Sequence, residues 1–281
     1  MRKLDLTIII PCRSDVRISY CIESIYRTCN ENVEVLVSLN NATKEVKEIL
    51  KNFKKVKTCE IEEANLSKAY NNGIEHASRN NILLMDSDCI FSPNTIKLLY
   101  KGLKYSKISK GLVIFRTHNL MSKVIAKVRE YTTTDFINAY VPPLAFSKDI
   151  KNFIGGYFFC EKMSWCGDGE FDYRVRKAEL KIFYNPKAVI YHAPLSILSD
   201  IKSAFKYGKG RSIGTDLGLL PKRNYFKIST HLERFIRTYE VFHKKGLFPA
   251  LYYFFLWRPI YRIGYFLQAL YNKLYKISWI F

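Results

Sequence analysis

The chain has 281 residues, 48% of them hydrophobic, and carries 45 Lys and Arg against 25 Asp and Glu, a formal net charge of +20. That length and apolar share exclude a peptide too small or too polar to bury a core, and they allow one large domain or two smaller ones. The charge favours anionic partners, meaning nucleotide phosphates, nucleic acid or an anionic membrane face.

Leu6-Thr7-Ile8-Ile9-Ile10 is a continuous β-branched run, the pattern of a strand buried on both faces, and Pro11 ends it. It is too short for a signal-peptide core, which predicts a cytoplasmic protein. Ser14 or Asp15 can cap a helix with Ile18, Cys21, Ile22, Ile25 and Cys29 along one stripe. Val33–Val37 is a second strand, and Asn40-Asn41-Ala42-Thr43 is turn and cap chemistry. Val46, Ile49, Leu50 and Phe53 line a helix, and Val56–Ile61 is a short strand. Ser67 can cap a helix through Ala69, Tyr70, Gly73, Ile74 and Ala77. A strand from Ile82 follows, and Ser92-Pro93 starts another helix with Pro at its first position. This alternation implies a mainly parallel sheet with helices on both faces, an α/β fold.

Beyond Gly111 the pattern loosens. Leu112–Phe115 is a strand, 117–150 is irregular, and Gly155-Gly156 marks a turn. An acidic segment, Trp165–Arg174, leads into helix at Val175–Leu180. Lys181–Tyr184 and Ala188–Tyr191 are short strands around Asn185-Pro186, ending at His192. Tyr207-Gly208-Lys209-Gly210-Arg211 is a flexible basic segment. Residues 200–281 hold fifteen Lys and Arg against four Asp and Glu, a net of +11. Within them Leu247–Trp257 is the longest uncharged apolar stretch, well short of the ~20 residues a bilayer span needs. Interfacial amphipathic helices fit better, with Trp257, Tyr261, Trp279 and the basic residues at headgroup level; a packed contact or a dimer contact is the alternative.

The seven cysteines are odd in number and include no C-x-x-C, so they are expected as reduced, mostly buried thiols. The chemistry concentrates at Ile82-Leu83-Leu84-Met85-Asp86-Ser87-Asp88. Two carboxylates one residue apart at the end of a buried strand suit a hard divalent cation. In an open α/β sheet, ligands bind at the carboxyl ends of the strands.

The order of these pieces resembles the GT-A glycosyltransferases of family 2, in their bacterial and archaeal polysaccharide branch. The resemblance covers about residues 4–212 and rests on the first strand ending in Pro11, Leu66–Gly73, Asp86-Ser87-Asp88, Gly155-Gly156, the Trp165–Arg174 segment and the ending at His192. It implies a GT-A catalytic domain over 1–212, Rossmann-like with a mainly parallel sheet. A basic, aromatic-rich helical region over 213–281 follows, for membrane-interface attachment.

The implied activity is inverting, metal-dependent transfer of a sugar from a nucleotide-sugar donor to a glycan or polyprenyl-linked acceptor. The implied place is the cytoplasmic membrane face, on an anionic membrane surface. The resemblance makes Asp88 a ligand of Mn²⁺ or Mg²⁺ and sets Asp86 beside it, facing ribose or sugar hydroxyls. His192 becomes a further metal contact, or else a plain strand-end histidine. The Arg174-Val175-Arg176-Lys177-Ala178 run sets the register that makes Asp168 the general base, with Glu170 as the later acid and the choice between them open, since Gly167 stands where a Glu is usual. Trp165 would stack on a sugar or close the pocket. Pro11 and Arg13 would line the base pocket. Asn40 and Asn41 replace the Asp that reads the base in relatives, which speaks against uracil recognition and leaves GDP- and dTDP-sugars open. Lys68 and Asn71, at a predicted helix start, would approach the diphosphate, or Lys68 would simply be solvated.

Other classes remain in view. One is a catalytically silent GT-A-like membrane scaffold; another is a basic nucleic-acid-binding protein. Against the latter, the charge follows an apolar tail rather than a recognisable groove, so no nucleic acid is expected as partner. A homo-oligomer is compatible with the tail.

Overall fold

The computed structural model describes residues 3–29, 31–222 and 228–278. The chain forms two compact units, one from 1–114 and 137–193, the other from 115–136 and 194–281.

The first unit is built on strands β1 (Lys3–Cys12), β2 (Asn32–Asn40), β3 (Lys57–Ile61), β4 (Asn81–Leu84), β5 (Cys89–Phe91), β6 (Ile108–Phe115), β7 (Leu144–Ser147) and β8 (Ile182–His192). They form one sheet in the order β3-β2-β1-β4-β7-β6-β8-β5. The β3-β2-β1-β4 half is parallel throughout, while β7 runs antiparallel to β4 and β6, and β5 antiparallel to β8. Strand β1 lies between two parallel neighbours, and with the sheet's faces covered Ile8, Ile9 and Ile10 have no exposed surface, as its unbroken β-branched run anticipates.

Helices α1 (Ile18–Thr28), α2 (Lys44–Lys51), α3 (Leu66–His76) and α4 (Thr95–Gly102) connect the early strands. Thr43 caps α2 by accepting the Val46 N–H. Helix α3 sits tightly on the sheet, since a Cβ on Gly73 would stand 2.5 Å from Ile9 Cγ2. Helix α5 (Leu120–Thr133) belongs to the second unit, and α6 (Gly167–Lys177) returns to the first. The core of the first unit joins Ile9, Tyr70, Ile82, Phe146, Phe159 and Phe171.

Several local expectations change. Asn65, not Ser67, caps α3, accepting the Lys68 N–H. Helix α4 starts at Thr95 behind a left-handed Asn94, so Pro93 precedes the helix rather than opening it. The segment at 117–150 is not irregular: Asn119 and Ser122 form a capping box that nucleates α5, and β7 follows. Helix α6 stops at Lys177, and Glu179 takes a left-handed φ of 54°. The two strands expected around Asn185-Pro186 are one, β8; its ladder to β5 runs over Ile190–His192, clear of Pro186.

The second unit is helical: α5, α7 (Ile197–Asp216), α8 (Ile228–Lys245), α9 (Leu247–Tyr252), a π-helical turn at Tyr253–Trp257, and α10 (Arg258–Ser278). The flexible loop expected at Tyr207–Arg211 lies inside α7. Its glycine has a packing reason. A Cβ on Gly208 would stand 1.9 Å from the Tyr261 carbonyl oxygen, and one on Gly264 would stand 2.2 Å from that of Phe205, so α7 and α10 meet backbone to backbone. Trp257 does not reach outward: it is buried, stacked between Tyr253 and Tyr261. Trp279 lies outside the described residues. The buried Arg129 donates to Asp200, whose other oxygen accepts the Tyr252 hydroxyl at 2.7 Å. Among the described residues, no helix is long and apolar enough to cross a membrane.

Candidate active site

Strand β4 ends at Leu84, and Met85 extends the ladder by donating its N–H to the Ile9 carbonyl at 3.0 Å. The chain then turns, the Cys89 N–H bonding the Asp86 carbonyl, and leaves along β5. Asp86 and Asp88 thus sit on the turn at the carboxyl end of a central strand, where ligands of such sheets bind. Tyr70 of α3 donates its hydroxyl to Asp86 Oδ1 at 3.0 Å. The antiparallel pairing of β5 with β8 sets Cys89 opposite His192, and the Ala193 N–H bonds the Asp88 carbonyl at 3.1 Å. That register brings His192 Nε2 to 3.5 Å from Asp88 Oδ2. Sequence spacing of over a hundred residues hides this meeting; the sheet makes it.

Burial, then the Asp88 charge, push the Asp86 carboxyl up, against His192 and the Tyr70 hydroxyl; the Asp168 charge adds to the rise. Asp168 is therefore close enough for the two carboxylates to feel each other. Its own carboxyl is also pushed up, chiefly by burial, against the Gly169 N–H at 2.8 Å and the Lys110 charge. Lys110, on β6, is buried and donates to the carbonyls of Tyr140 and Pro142. Burial pulls its amine down to about 7, against the charges of Asp168, Asp86 and Asp172. Asp168, Asp86 and Lys110 thus form one electrostatic group.

The cation-binding chemistry fits. Asp88 and His192 offer a carboxylate oxygen and an imidazole nitrogen, donors that Mn²⁺ or Mg²⁺ accepts. Cys89 lies in the same cluster; burial and the charges of both aspartates raise its thiol pKa, and Mn²⁺ and Mg²⁺ favour oxygen donors over a soft sulfur. The crowding of Asp86 and Asp88 is the strain a divalent cation would relieve.

The acidic segment is anchored by α3. Asn65 Nδ2 donates to the Glu161 carbonyl at 2.7 Å, Ser67 Oγ donates to that of Met163, and Asn71 Nδ2 donates to that of Phe159 at 2.9 Å while its oxygen accepts the Phe159 N–H. This row holds 159–163 and thereby the start of α6. Gly167, first in α6, has no room for a side chain: a Cβ there would lie 2.6 Å from Ser67 Oγ. Cys166 before it takes a left-handed φ of 65°.

The remaining expected site residues divide. Glu170 has no exposed surface; Arg174 binds both its oxygens and Tyr157 donates to one, while Arg174 also caps the carbonyls of Ile154, Tyr157 and Phe158. Lys68 pairs with Glu63, and Asn71 is occupied as described. Asn40 accepts the Asn65 N–H at 2.7 Å, and Asn41 takes a φ of 51° at the β2 end. Pro11 is buried at the end of β1, Arg13 is exposed beyond it, and Trp165 is half-buried.

Sequence reasoning passed over Arg17, whose guanidinium is 2.7 Å from Asp15 and 3.5 Å from Asp88. Its signal was only an Asp-x-Arg pair before a helix. It also passed over Lys110, which the sequence shows only as one of several polar residues in Lys107-Ile108-Ser109-Lys110.

The family model "Glycosyl transferase family 2" matches residues 7–160. Among solved structures, Staphylococcus aureus TarS (1–349) superposes with a TM-score of 0.54 at 13% identity, covering 96% of this chain and 92% of that one. A Pyrobaculum calidifontis mannosyltransferase, PcManGT, in complex with GDP-Man and Mn²⁺, gives 0.60 at 14% identity, covering 96% and 88%. At these identities the likeness is one of fold. No curated protein sequence matches.

Proposed function

The chain belongs to glycosyl transferase family 2 and is a glycosyltransferase, and from that premise we propose that it transfers a sugar with inversion, by a metal-dependent route, from a nucleotide-sugar donor to a glycan or polyprenyl-linked acceptor. The observation that supports this is the meeting of Asp88 with His192 beside Asp86 at the carboxyl end of the sheet, with the charge of Asp168 felt at Asp86. Asp88 and His192 hold Mn²⁺ or Mg²⁺, with Asp86 beside them. The bound cation supplies Lewis-acid stabilisation of the diphosphate leaving group.

Asp168 takes the proton of the acceptor hydroxyl as it attacks. Its raised carboxyl pKa, close to Asp86 and opposed by Lys110, makes it a better base than a solvated aspartate. Glu170 supports it from behind, locking α6 through Arg174. Arg13, Pro11, Asn40 and Asn41 border the donor base, Trp165 faces the sugar, and Lys68 and Asn71 flank the diphosphate side. These roles fall within residues 1–212. Residues 213–281 attach the protein to the cytoplasmic membrane face, supported by exposed Phe235, Phe248 and Phe255 among basic residues.

The anomeric configuration of the product, read by NMR, tests the mechanism. Inversion is expected; a retained configuration would overturn direct displacement by a single base.

A further inference from the structure

In the second unit two guanidiniums contact the same π-helical turn, Arg234 at Phe254 and Arg258 at Tyr253, and among the described residues neither is paired with an acid. Arg258 opens α10, is 5% exposed, and its Nε and Nη2 are buried without a hydrogen-bond partner. Stripping water from a guanidinium and leaving it unpaired is strongly unfavourable, and buried polar groups in native proteins are almost always satisfied. The Tyr253 ring, 5.9 Å away, gives only weak compensation. Among the described residues no carboxylate comes within ion-pair distance of it. Four acids of this unit are ion-paired elsewhere, Glu130 and Asp135 with Lys245, Asp200 with Arg129 and Glu233 with Arg237, and Glu240 accepts the Tyr131 hydroxyl.

Arg234, on α8, is the second. Its Nη2 donates to the Phe254 carbonyl at 2.8 Å, its Cζ lies 3.9 Å from the Phe254 ring centre, and its Nε is buried and unpartnered. Burial and the Arg258 charge both lower its pKa. The π-helical turn at Tyr253–Trp257 lies between the two arginines. Such turns shift carbonyls out of the ordinary ladder and recur at functional sites. Here Phe254 uses its carbonyl to hold Arg234 against the turn that leads into Arg258.

We propose that Arg234 and Arg258 form a binding site for a phosphate group carried on a lipid. A planar guanidinium fork matches phosphate oxygens in a bidentate way, and the unpartnered nitrogens of buried Arg258 and half-buried Arg234 await an anion rather than a neutral ligand. The lipid source follows from the surroundings. Leu251 and Phe255, beside Arg234's partner Phe254, and Phe235, next to Arg234 itself, are exposed apolar side chains suited to acyl chains. The site deepens the membrane-face reading and rests on it for the lipid source alone.

The test uses the full chain and no nucleotide sugar, so its outcome is separate from the donor-site reading. Wild type, Arg258→Gln, Arg258→Lys and Lys273→Gln are sedimented with phosphatidylcholine vesicles with and without phosphatidic acid, and melted with and without inorganic phosphate. Lys273 is exposed on the same helix and controls for charge alone. Wild type and Lys273→Gln should bind phosphatidic acid vesicles, and both Arg258 variants should bind about tenfold more weakly, as loss of a charge-assisted bond pair implies. Phosphate should raise the melting temperature of wild type and not of Arg258→Gln. Arg258→Gln matching Lys273→Gln, or Arg258→Lys matching wild type, would overturn the site. Phosphate stabilisation that needs Arg258, with vesicle binding that does not, would overturn the lipid assignment. A sharp drop in the phosphate-free melting temperature of Arg258→Gln, with wild type indifferent to phosphate, would make Arg258 a structural arginine and refute the proposal.

Discussion

Gly167→Ala should destabilise the protein, and Ser67→Ala should rescue it. The added Cβ would stand 2.6 Å from Ser67 Oγ, closer than packed atoms tolerate, and that hydroxyl is not free to swing because it holds the Met163 carbonyl. Overpacking of this kind typically destabilises by about 1–3 kcal/mol. Replacing a helical glycine returns at most about 1 kcal/mol, and less at the first position, so a net loss of about 1–2 kcal/mol is expected. Ser67→Ala alone loses one hydrogen bond to a buried carbonyl, about 1 kcal/mol. In the double variant the clash disappears, because the Ser67 Cβ lies 3.9 Å from the new methyl, an ordinary contact. Its loss should therefore be about 1 kcal/mol rather than the sum of the two, a coupling of about 1–2 kcal/mol. Urea denaturation of the four proteins measures this directly. Since Asp168 is the next residue, kcat/KM of Gly167→Ala should also fall, by about 10- to 100-fold for a displacement near 1 Å. A Gly167→Ala protein as stable as wild type, or losses that simply add, would refute the packing argument.

Three other outcomes are expected. Asp168→Asn should keep donor-dependent thermal stabilisation while kcat falls by about 10²- to 10⁴-fold, the usual worth of a general base; loss of donor binding instead would remove Asp168 from the base role. Glu34, buried on β2, has its carboxyl opposed by burial but held down to about 2 by Lys57, Thr7 and the Ser78 N–H. Its folded pKa lies below its unfolded one near 4.5, so its stabilisation is complete above pH 4.5 and drains away as pH falls toward 2. Glu34→Gln should flatten the stability–pH curve in that window, and an unchanged curve would contradict the assignment. Asp200→Asn breaks the buried bond to Arg129 and should lower stability by about 3–5 kcal/mol, read by thermal unfolding; a neutral result would mean the pair is not buried in solution.

The half of the sheet legible in sequence is the half whose strands read independently of distant partners. Leu6–Ile10 announces a central strand because both its faces are covered and both its edges are paired, so every side chain in the run is buried. The Asp86-Ser87-Asp88 turn was readable because the buried strand and its exit are contiguous. Strand β8 was not, because Asn185-Pro186 is locally turn-like, and it is pairing with distant strands, β6 on one side and β5 on the other, that keeps the chain extended toward His192. Gly208 illustrates the same limit. Beside Lys209 and Arg211 it reads as a flexible loop, yet its reason is the Tyr261 carbonyl fifty-three residues away. The site followed suit. The Arg-rich run after Asp168 gave it a register to propose from, whereas the burial of Glu170 beneath Arg174, and the charge of Asp168 and Asp86 felt at Lys110, depend on packing that no local pattern carries.

The most direct test of the metal-dependent donor site is a thermal-shift panel of UDP-, GDP-, dTDP- and CMP-sugars, with and without Mn²⁺, on wild type and Asp88→Asn. A donor at about 100 times its Kd should stabilise wild type by about 2.7 kcal/mol. The account predicts that one nucleotide does so only with Mn²⁺ and fails to do so in Asp88→Asn. Equal stabilisation of both proteins, or stabilisation without the metal, would contradict it.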